Sequence, residues 1–142
     1  MTTAAGVGMS RHHNPNVAGR EAAEQALQKA DLDEPDFVFM FASIGYDQLS
    51  LLRTVRETTG GAPLSGCSVE GTIAAEDADE SGFSVAVTAI SSDELEWTNG
   101  LATGLSADSR AVGQWVAQEL LPHLRFLVVL SVGDNARVHR TS

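Results

Sequence analysis

The sequence contains a single cysteine among its 142 residues, which excludes an intramolecular disulfide. It also excludes a structural zinc site built on two or more cysteines. The longest unbroken apolar stretches, 37–42 and 126–130, are far shorter than the roughly 18 residues of a membrane helix. The N-terminus lacks both the basic region and the apolar core of a signal peptide. We therefore expect a soluble, cytoplasmic protein with no membrane partner.

Basic residues are also scarce. The chain has 9 Lys+Arg against 19 Asp+Glu, for a formal net charge of −10. This balance argues against a nucleic-acid partner, which would require a clustered basic surface. The remaining composition, with 43% hydrophobic residues, is that of an ordinary globular chain. One domain of this length can bury a core without a disulfide or a metal, and we expect no cofactor.

The charge is unevenly distributed along the chain. Residues 123–142 contain three arginines and one aspartate, a net charge of +2, which leaves −12 on residues 1–122. Such an asymmetry between segments needs a structural reason.

The spacing of apolar residues predicts alternating strands and helices. It predicts helices at 18–30, 48–58 and 107–121, the last capped by Ser106, and an acidic loop at 76–81. Strands are predicted at 3–10, 37–42, 62–67, 82–91, 95–101 and 126–132. The early alternation implies parallel strands joined by crossover helices, and the later neighbouring strands imply antiparallel pairing. The predicted fold is therefore an α/β sandwich, in which helices flank a mixed β-sheet with an early parallel βαβαβ part.

Segments rich in glycine and small polar residues lie at the ends of the first three predicted strands, at 6–10, 43–47 and 66–71, and are predicted to form turns. Parallel strands end at the same edge of a sheet, so these turns should converge on one crevice, where α/β folds bind ligands. The candidate ligand-binding residues are Gly8, Ser10, Ser43, Tyr46, Asp47, Gly66, Cys67, Ser68, Glu70 and Gly71. The first turn is not a dinucleotide-binding fingerprint, because Arg11 stands where the third glycine is needed.

The segment Gly66–Gly71 leaves three interpretations open. It is either a ligand-binding turn or a tight connection containing a buried, inert Cys67. The third interpretation makes Cys67 a catalytic nucleophile, with His12 or His13 as its base. A lone cysteine without a diagnostic histidine spacing is a weak signal for catalysis.

Four segments together resemble the N-terminal part of a FIST domain, the "F-box and intracellular signal transduction" sensory domain. They read AGVGMS…GREAAEQALQKA, DFVFMFASIGYDQLSLLRTVRE, GGAPLSGCSVEGTI and GFSVAVTAI, and the resemblance spans about residues 4–130. The Gly-Cys-Ser sequence at 66–68 is its most specific part. The resemblance implies a prokaryotic intracellular sensory domain that binds a small ligand, such as an amino acid or a derivative, without catalysis. It implies as partner a signalling effector or a C-terminal FIST domain encoded separately.

The chain departs from the family pattern at three places. Thr72 stands where the family tends to have an acidic residue, Val69 where it often has a small hydroxyl residue, and Glu70 where it often has a small one. Residues 131–142 do not resemble the family. We therefore expect an incomplete FIST N-terminal-like domain at 1–130, followed by an out-of-frame basic tail that accounts for the charge asymmetry. An inactive truncated remnant is the alternative.

Overall fold

The computed structural model describes residues 2–74, 77–80 and 82–120. Strands and helices alternate in the first part of the chain, as the spacing of apolar residues predicts. The elements in chain order are β1 (Thr3–Ser10), α1 (Pro15–Ala30), β2 (Phe37–Ser43), α2 (Gln48–Thr58), β3 (Leu64–Val69), β4 (Thr72–Ala74), β5 (Asp77–Asp79), β6 (Val85–Ser92) and α3 (Ser109–Leu120). Residues up to Trp97 form one compact unit, and a second begins at Thr98 and contains α3.

The main sheet has four strands in the order β1-β6-β2-β3. Strands β1 and β2 each pair antiparallel with β6, whereas β2 and β3 pair in parallel. The strands β1, β2 and β3 consequently point in one direction, and they end at the edge of the sheet where β6 begins. We call this edge the carboxyl edge. The α/β class with a mixed sheet is confirmed, and β6 lies between β1 and β2.

One face of the sheet is covered by α1, whose buried side is built mostly from alanine. Ala18, Ala22 and Ala26 are fully buried in it. The facing position on β1 is Gly8, where a Cβ would collide with the carbonyl oxygen of Ala22. Alanine against glycine therefore lets the helix approach the sheet closely. Leu51 of α2 adds a large, fully buried side chain to the same core.

Each helix begins at a capping side chain. The Asn14 side chain accepts hydrogen bonds from the N–H groups of Asn16 and Val17, at 2.9 and 3.3 Å. Asp47 caps α2 in the same way, and Asp108 accepts from a backbone N–H in the first turn of α3. The predicted cap of α3 at Ser106 is therefore wrong, since the helix starts at Ser109 and the residue before it supplies the carboxylate.

Two predicted segments differ in the structure. Part of the acidic stretch expected as a loop forms β5, which pairs antiparallel with β4 and places Ala78 opposite Ile73. Residues 95–101 form no strand, and the pairing of β6 with β1 ends at Ser92 opposite Thr3. The strand predicted at 126–132 lies outside the described residues. Within the described part of the chain, no helix has the length and apolarity needed to cross a membrane.

Candidate functional site

The carboxyl edge is covered by the small pair β4–β5. Strand β4 contacts β1, β2 and β6. Arg11, directly after β1, forms an ion pair with Asp79 of β5 and donates to the carbonyl oxygen of Ala78 at 3.4 Å. These contacts hold β5 beside the end of β1, so polar groups from several elements meet at this edge.

Tyr46 is buried at the carboxyl edge, with 5% of its surface exposed. Its hydroxyl donates to the carbonyl oxygen of His12 at 2.9 Å, and its ring meets the Phe83 ring edge-on. Burial, and then the carboxylates of Asp79 and Glu21, raise the pKa of Tyr46 to about 12. The phenol is therefore neutral at physiological pH and ties the loop after β1 to the start of α2.

Two predicted ligand-binding hydroxyls already have protein partners. The hydroxyl of Ser10 donates to the carboxylate of Glu21 at 2.6 Å. Ser43 donates to the carbonyl oxygen of Gly82 at 2.8 Å and accepts from the N–H of Ser84 at 2.9 Å. Ser43 thus joins the end of β2 to the segment that leads into β6. A role for either hydroxyl in ligand binding stays a prediction.

Two other candidates occupy positions that the fold itself requires. Asp47 is exposed and accepts from the N–H of Ser50 at 3.0 Å, as the cap of α2. Gly8 lies against the backbone of α1, well inside β1. The structure brings Asp47 to the carboxyl edge, whereas Gly8 lies beneath the helix.

The segment that was predicted to be a turn after β3 is mostly part of that strand. Gly66, Cys67 and Ser68 lie within β3 and pair with Met40, Phe41 and Ala42 of β2. A Cβ at position 66 would collide with the carbonyl oxygen of Met40, so the glycine permits close pairing of the two strands. The turn itself consists of the exposed residues Glu70 and Gly71.

Cys67 is half-buried, and its thiol has no hydrogen-bond partner among the described residues. His12 accepts from the N–H of Asn14 through Nδ1, and the ring of His13 stacks on Phe83 at 4.5 Å. No described histidine therefore acts as a hydrogen-bonded base for this thiol. The described residues also contain no group of three or more side chains suited to hold a metal ion.

Two buried hydroxyls at the carboxyl edge were missed from the sequence. Thr72 of β4 is 3% exposed and Ser84, directly before β6, is fully buried. Neither hydroxyl has a hydrogen-bond partner among the described residues. Leaving a buried polar group unpaired costs about 1–3 kcal/mol, so each is a position where a bound group would be stabilised. Only the observed pairing of β4–β5 and the position of β6 bring them to this edge.

A separate groove of about 450 Å³ runs along α2. Its lining includes Leu49, Leu52, Arg53 and Arg56, and it ends at the Gly60–Gly61 turn. None of the ten candidate residues lines it.

Two solved structures show distant similarity to the chain. FtsZ from M. jannaschii, an empty dimer, aligns at 15% identity with a TM-score of 0.37 over 71% of this chain and 34% of its own. An FtsZ-like protein of unknown function from Nostoc punctiforme aligns at 15% identity with a TM-score of 0.33, over 63% of this chain and 89% of its own. Both similarities are too weak to indicate a shared fold or function. The comparison with curated proteins gives no match.

A family model does match. The model of the FIST N domain aligns with residues 36–139, which include β2, the Gly-Cys-Ser sequence, β6 and α3. The match also extends over most of the segment 131–142, so the domain boundary predicted at residue 130 stays a prediction. The chain belongs to the FIST N domain family, a family of signal-transduction sensory domains.

Proposed function

We propose that the domain is a non-catalytic sensor that binds a small zwitterionic ligand, an amino acid or a derivative, at the carboxyl edge. The observation that carries the proposal is the pair of unpartnered, buried hydroxyls of Thr72 and Ser84. They belong to separate elements that meet at the place where β1 and β2 end. Membership of a sensory family supports the signalling part of the proposal.

The charges at the carboxyl edge suit a zwitterion. The carboxylates of Glu21 and Asp79 offer acceptors to an ammonium group, and Arg11 offers a guanidinium to a carboxylate. Hydroxyls such as those of Thr72 and Ser84 both donate and accept, so they serve either end of such a ligand. Arg11 and Asp79 already form an ion pair with each other. A ligand would therefore bind to these two side chains while they remain paired.

Signal transmission would follow from where the ligand binds. A molecule held between Thr72 and Ser84 contacts the β4–β5 pair on one side and the start of β6 on the other. The ligand would bind more tightly when both elements contact it than when they are apart. This difference in affinity would shift the population towards the arrangement in which both contact the ligand. The effector that reads this arrangement is proposed to be a separate signalling protein or a C-terminal FIST domain.

The proposal predicts that free amino acids raise the melting temperature of the full chain in a concentration-dependent way. A ligand at 100 times its Kd adds about 2.7 kcal/mol to the free energy of unfolding, which a thermal melt detects easily. The measurement is a thermal melt in the presence of each member of a panel of amino acids and small carboxylates.

The double variant Thr72→Val/Ser84→Ala tests the site directly. Without ligand it should be as stable as the wild type, or more stable by about 1 kcal/mol, because two unpaired buried hydroxyls are removed. It should nevertheless lose the ligand-induced rise in melting temperature. Thr88→Val is the matched control, because Thr88 lies further along β6, opposite Val7 and Phe39. A rise that survives in the double variant, or no rise with any panel member, contradicts the proposal.

A further inference from the structure

One face of α2 carries a stripe that combines apolar and basic residues, all exposed except the half-buried Leu52. Leu49, Leu52, Arg53 and Arg56 follow the spacing i, i+3, i+4, i+7, which places them side by side along the helix. They line the groove of about 450 Å³ described above. Leu49 is 66% exposed, although its neighbour Leu51 is fully buried. We call this surface the α2 groove.

The charges of the α2 groove are opposite in sign to those of the chain as a whole. Neither Arg53 nor Arg56 makes a side-chain hydrogen bond or an ion pair with any described residue. Glu57 also lines the groove, so its net charge is +1 in a chain whose formal net charge is −10. A partner that matches the groove presents an apolar side chain flanked by carboxylates.

The chain carries such a segment at Asp93–Glu96, directly after β6. Leu95 is 44% exposed, and the exposed residues Glu94 and Glu96 flank it. The exposed leucine of this segment can pack on the two leucines of the α2 groove, while its two carboxylates face the two guanidinium groups of the groove.

Both ends of this segment are held in place by its own sheet. Thr2 donates its N–H to the Asp93 carboxylate at 2.9 Å, and the N–H of Asp93 donates to the carbonyl oxygen of Thr2 at 3.2 Å. At the other end, the Trp97 ring stacks on Phe37 at 4.8 Å. The segment is thus presented in a fixed position, which lowers the entropy lost when a partner docks on it.

We propose that the α2 groove binds the Asp93–Glu96 segment of a second copy of this chain. Two different surfaces meet in this contact, so the association is head-to-tail. After one contact, the first copy still has a free segment and the second still has a free groove, and each can bind a further copy. The seven residues that line the groove are fewer than the roughly 20–30 residues that each partner contributes to a standard interface, so the association should be weak and should depend on concentration. Because charges supply much of the complementarity, it should also weaken with added salt.

Sedimentation velocity of the full chain, from micromolar to near-millimolar protein at low and high salt, tests the proposal. The wild type should form reversible oligomers at low salt. Arg53→Glu/Arg56→Glu should stay monomeric because both groove and segment are then acidic. Glu94→Arg/Glu96→Arg should stay monomeric because both are then basic. An equimolar mixture of the two variants should associate again, because each groove then meets a segment of opposite charge.

Restored association in the mixture would be specific to this contact, since a general charge effect or misfolding cannot produce it from two monomeric variants. A wild type that is monomeric at every concentration overturns the proposal. Oligomers that persist in both charge variants overturn it as well, because another surface must then hold them. Binding of octanoate to the groove without any self-association would show a small-molecule site instead, and it too overturns the proposal. None of these outcomes depends on the ligand proposed for the carboxyl edge.

Discussion

At the residue scale, the hydroxyls at the carboxyl edge divide into two groups. Those of Ser10 and Ser43 bond to protein groups and stabilise the ends of β1 and β2. Those of Thr72 and Ser84 are buried without a partner among the described residues. Ser10 and Ser43 were selected from the sequence as candidate residues because they lie at the ends of predicted strands. The second pair could not be found there, because nothing local to either residue reveals that both are buried at one edge.

Tyr46 predicts a specific loss of stability in alkali. Its pKa is raised from 10.0 to about 12, so the unfolded chain releases this proton at lower pH than the folded chain does. The stabilisation is complete below pH 10 and is lost as the pH rises towards 12, by up to about 2–3 kcal/mol. Urea unfolding of the wild type and of Tyr46→Phe over this range measures the effect. The variant should be about 1 kcal/mol less stable near neutral pH, through the lost bond to His12, and should show a shallower alkaline decline. Equal alkaline slopes would contradict the assignment.

Removal of the Asp47 side chain should destabilise the start of α2. Asp47→Ala removes the acceptor for the N–H of Ser50 and should lower the free energy of unfolding by about 1 kcal/mol. Asp47→Asn keeps a capping oxygen and should cost at most a few tenths of that energy. Chemical denaturation of the two variants compares them. Equal losses in both would show that the charge, and not the cap, is what the position supplies.

At the scale of elements, α1 and β2 could be predicted from the sequence, whereas the β4–β5 pair and the full extent of β3 could not. Periodicity predicts α1, and the Ala-rich face that it identifies is the face that packs on the sheet. The aromatic and β-branched run of β2 likewise predicts a central strand, because such residues need cover on both faces. The pair β4–β5 was missed because each strand has three residues, too few for an alternating pattern to register. Most of the turn predicted at 66–71 was wrong, because small residues also suit an outer strand that closely approaches its neighbour.

Gly8 predicts how sensitive the contact between helix and sheet is to added volume. Gly8→Ala places a Cβ against the carbonyl oxygen of Ala22, so α1 must move away from β1. Overpacking of this kind typically costs 1–3 kcal/mol, and we expect a loss of about 2 kcal/mol or more, since backbone must shift. Gly82→Ala is the control, because a Cβ there meets no atom within 4 Å. Equal midpoints for the two variants in urea unfolding would refute this packing.

At the scale of the whole molecule, the formal net charge of −10 is the sum of −12 on residues 1–122 and +2 on residues 123–142. The main sheet, α1 and α2 all lie within the compact unit that ends at Trp97, and so does every fully buried apolar side chain among the described residues. The +2 of residues 123–142 lies outside the described residues. The α/β fold class could be predicted from the sequence, since alternating strands and helices imply parallel strands. The place of β6 between β1 and β2 could not, because strand order depends on long-range pairing.

The boundary at residue 130 predicts that the last twelve residues do not stabilise the domain. Deletion of residues 131–142 should then leave the urea midpoint and the slope of the transition unchanged, because the slope scales with the surface exposed on unfolding. A lower midpoint would place the segment within the domain, as the extent of the family match to residue 139 would require.

The central claim is that a zwitterionic ligand binds at the carboxyl edge, beside Thr72 and Ser84. The most direct measurement is a titration of the isotope-labelled full chain, followed by backbone amide NMR, with the amino acid that raises the melting temperature most. We predict saturable shifts concentrated at the amides of Ser43, Thr72 and Ser84, with α2 unaffected along its groove. Shifts confined to the α2 groove, or no saturable shift at the carboxyl edge, would contradict the account.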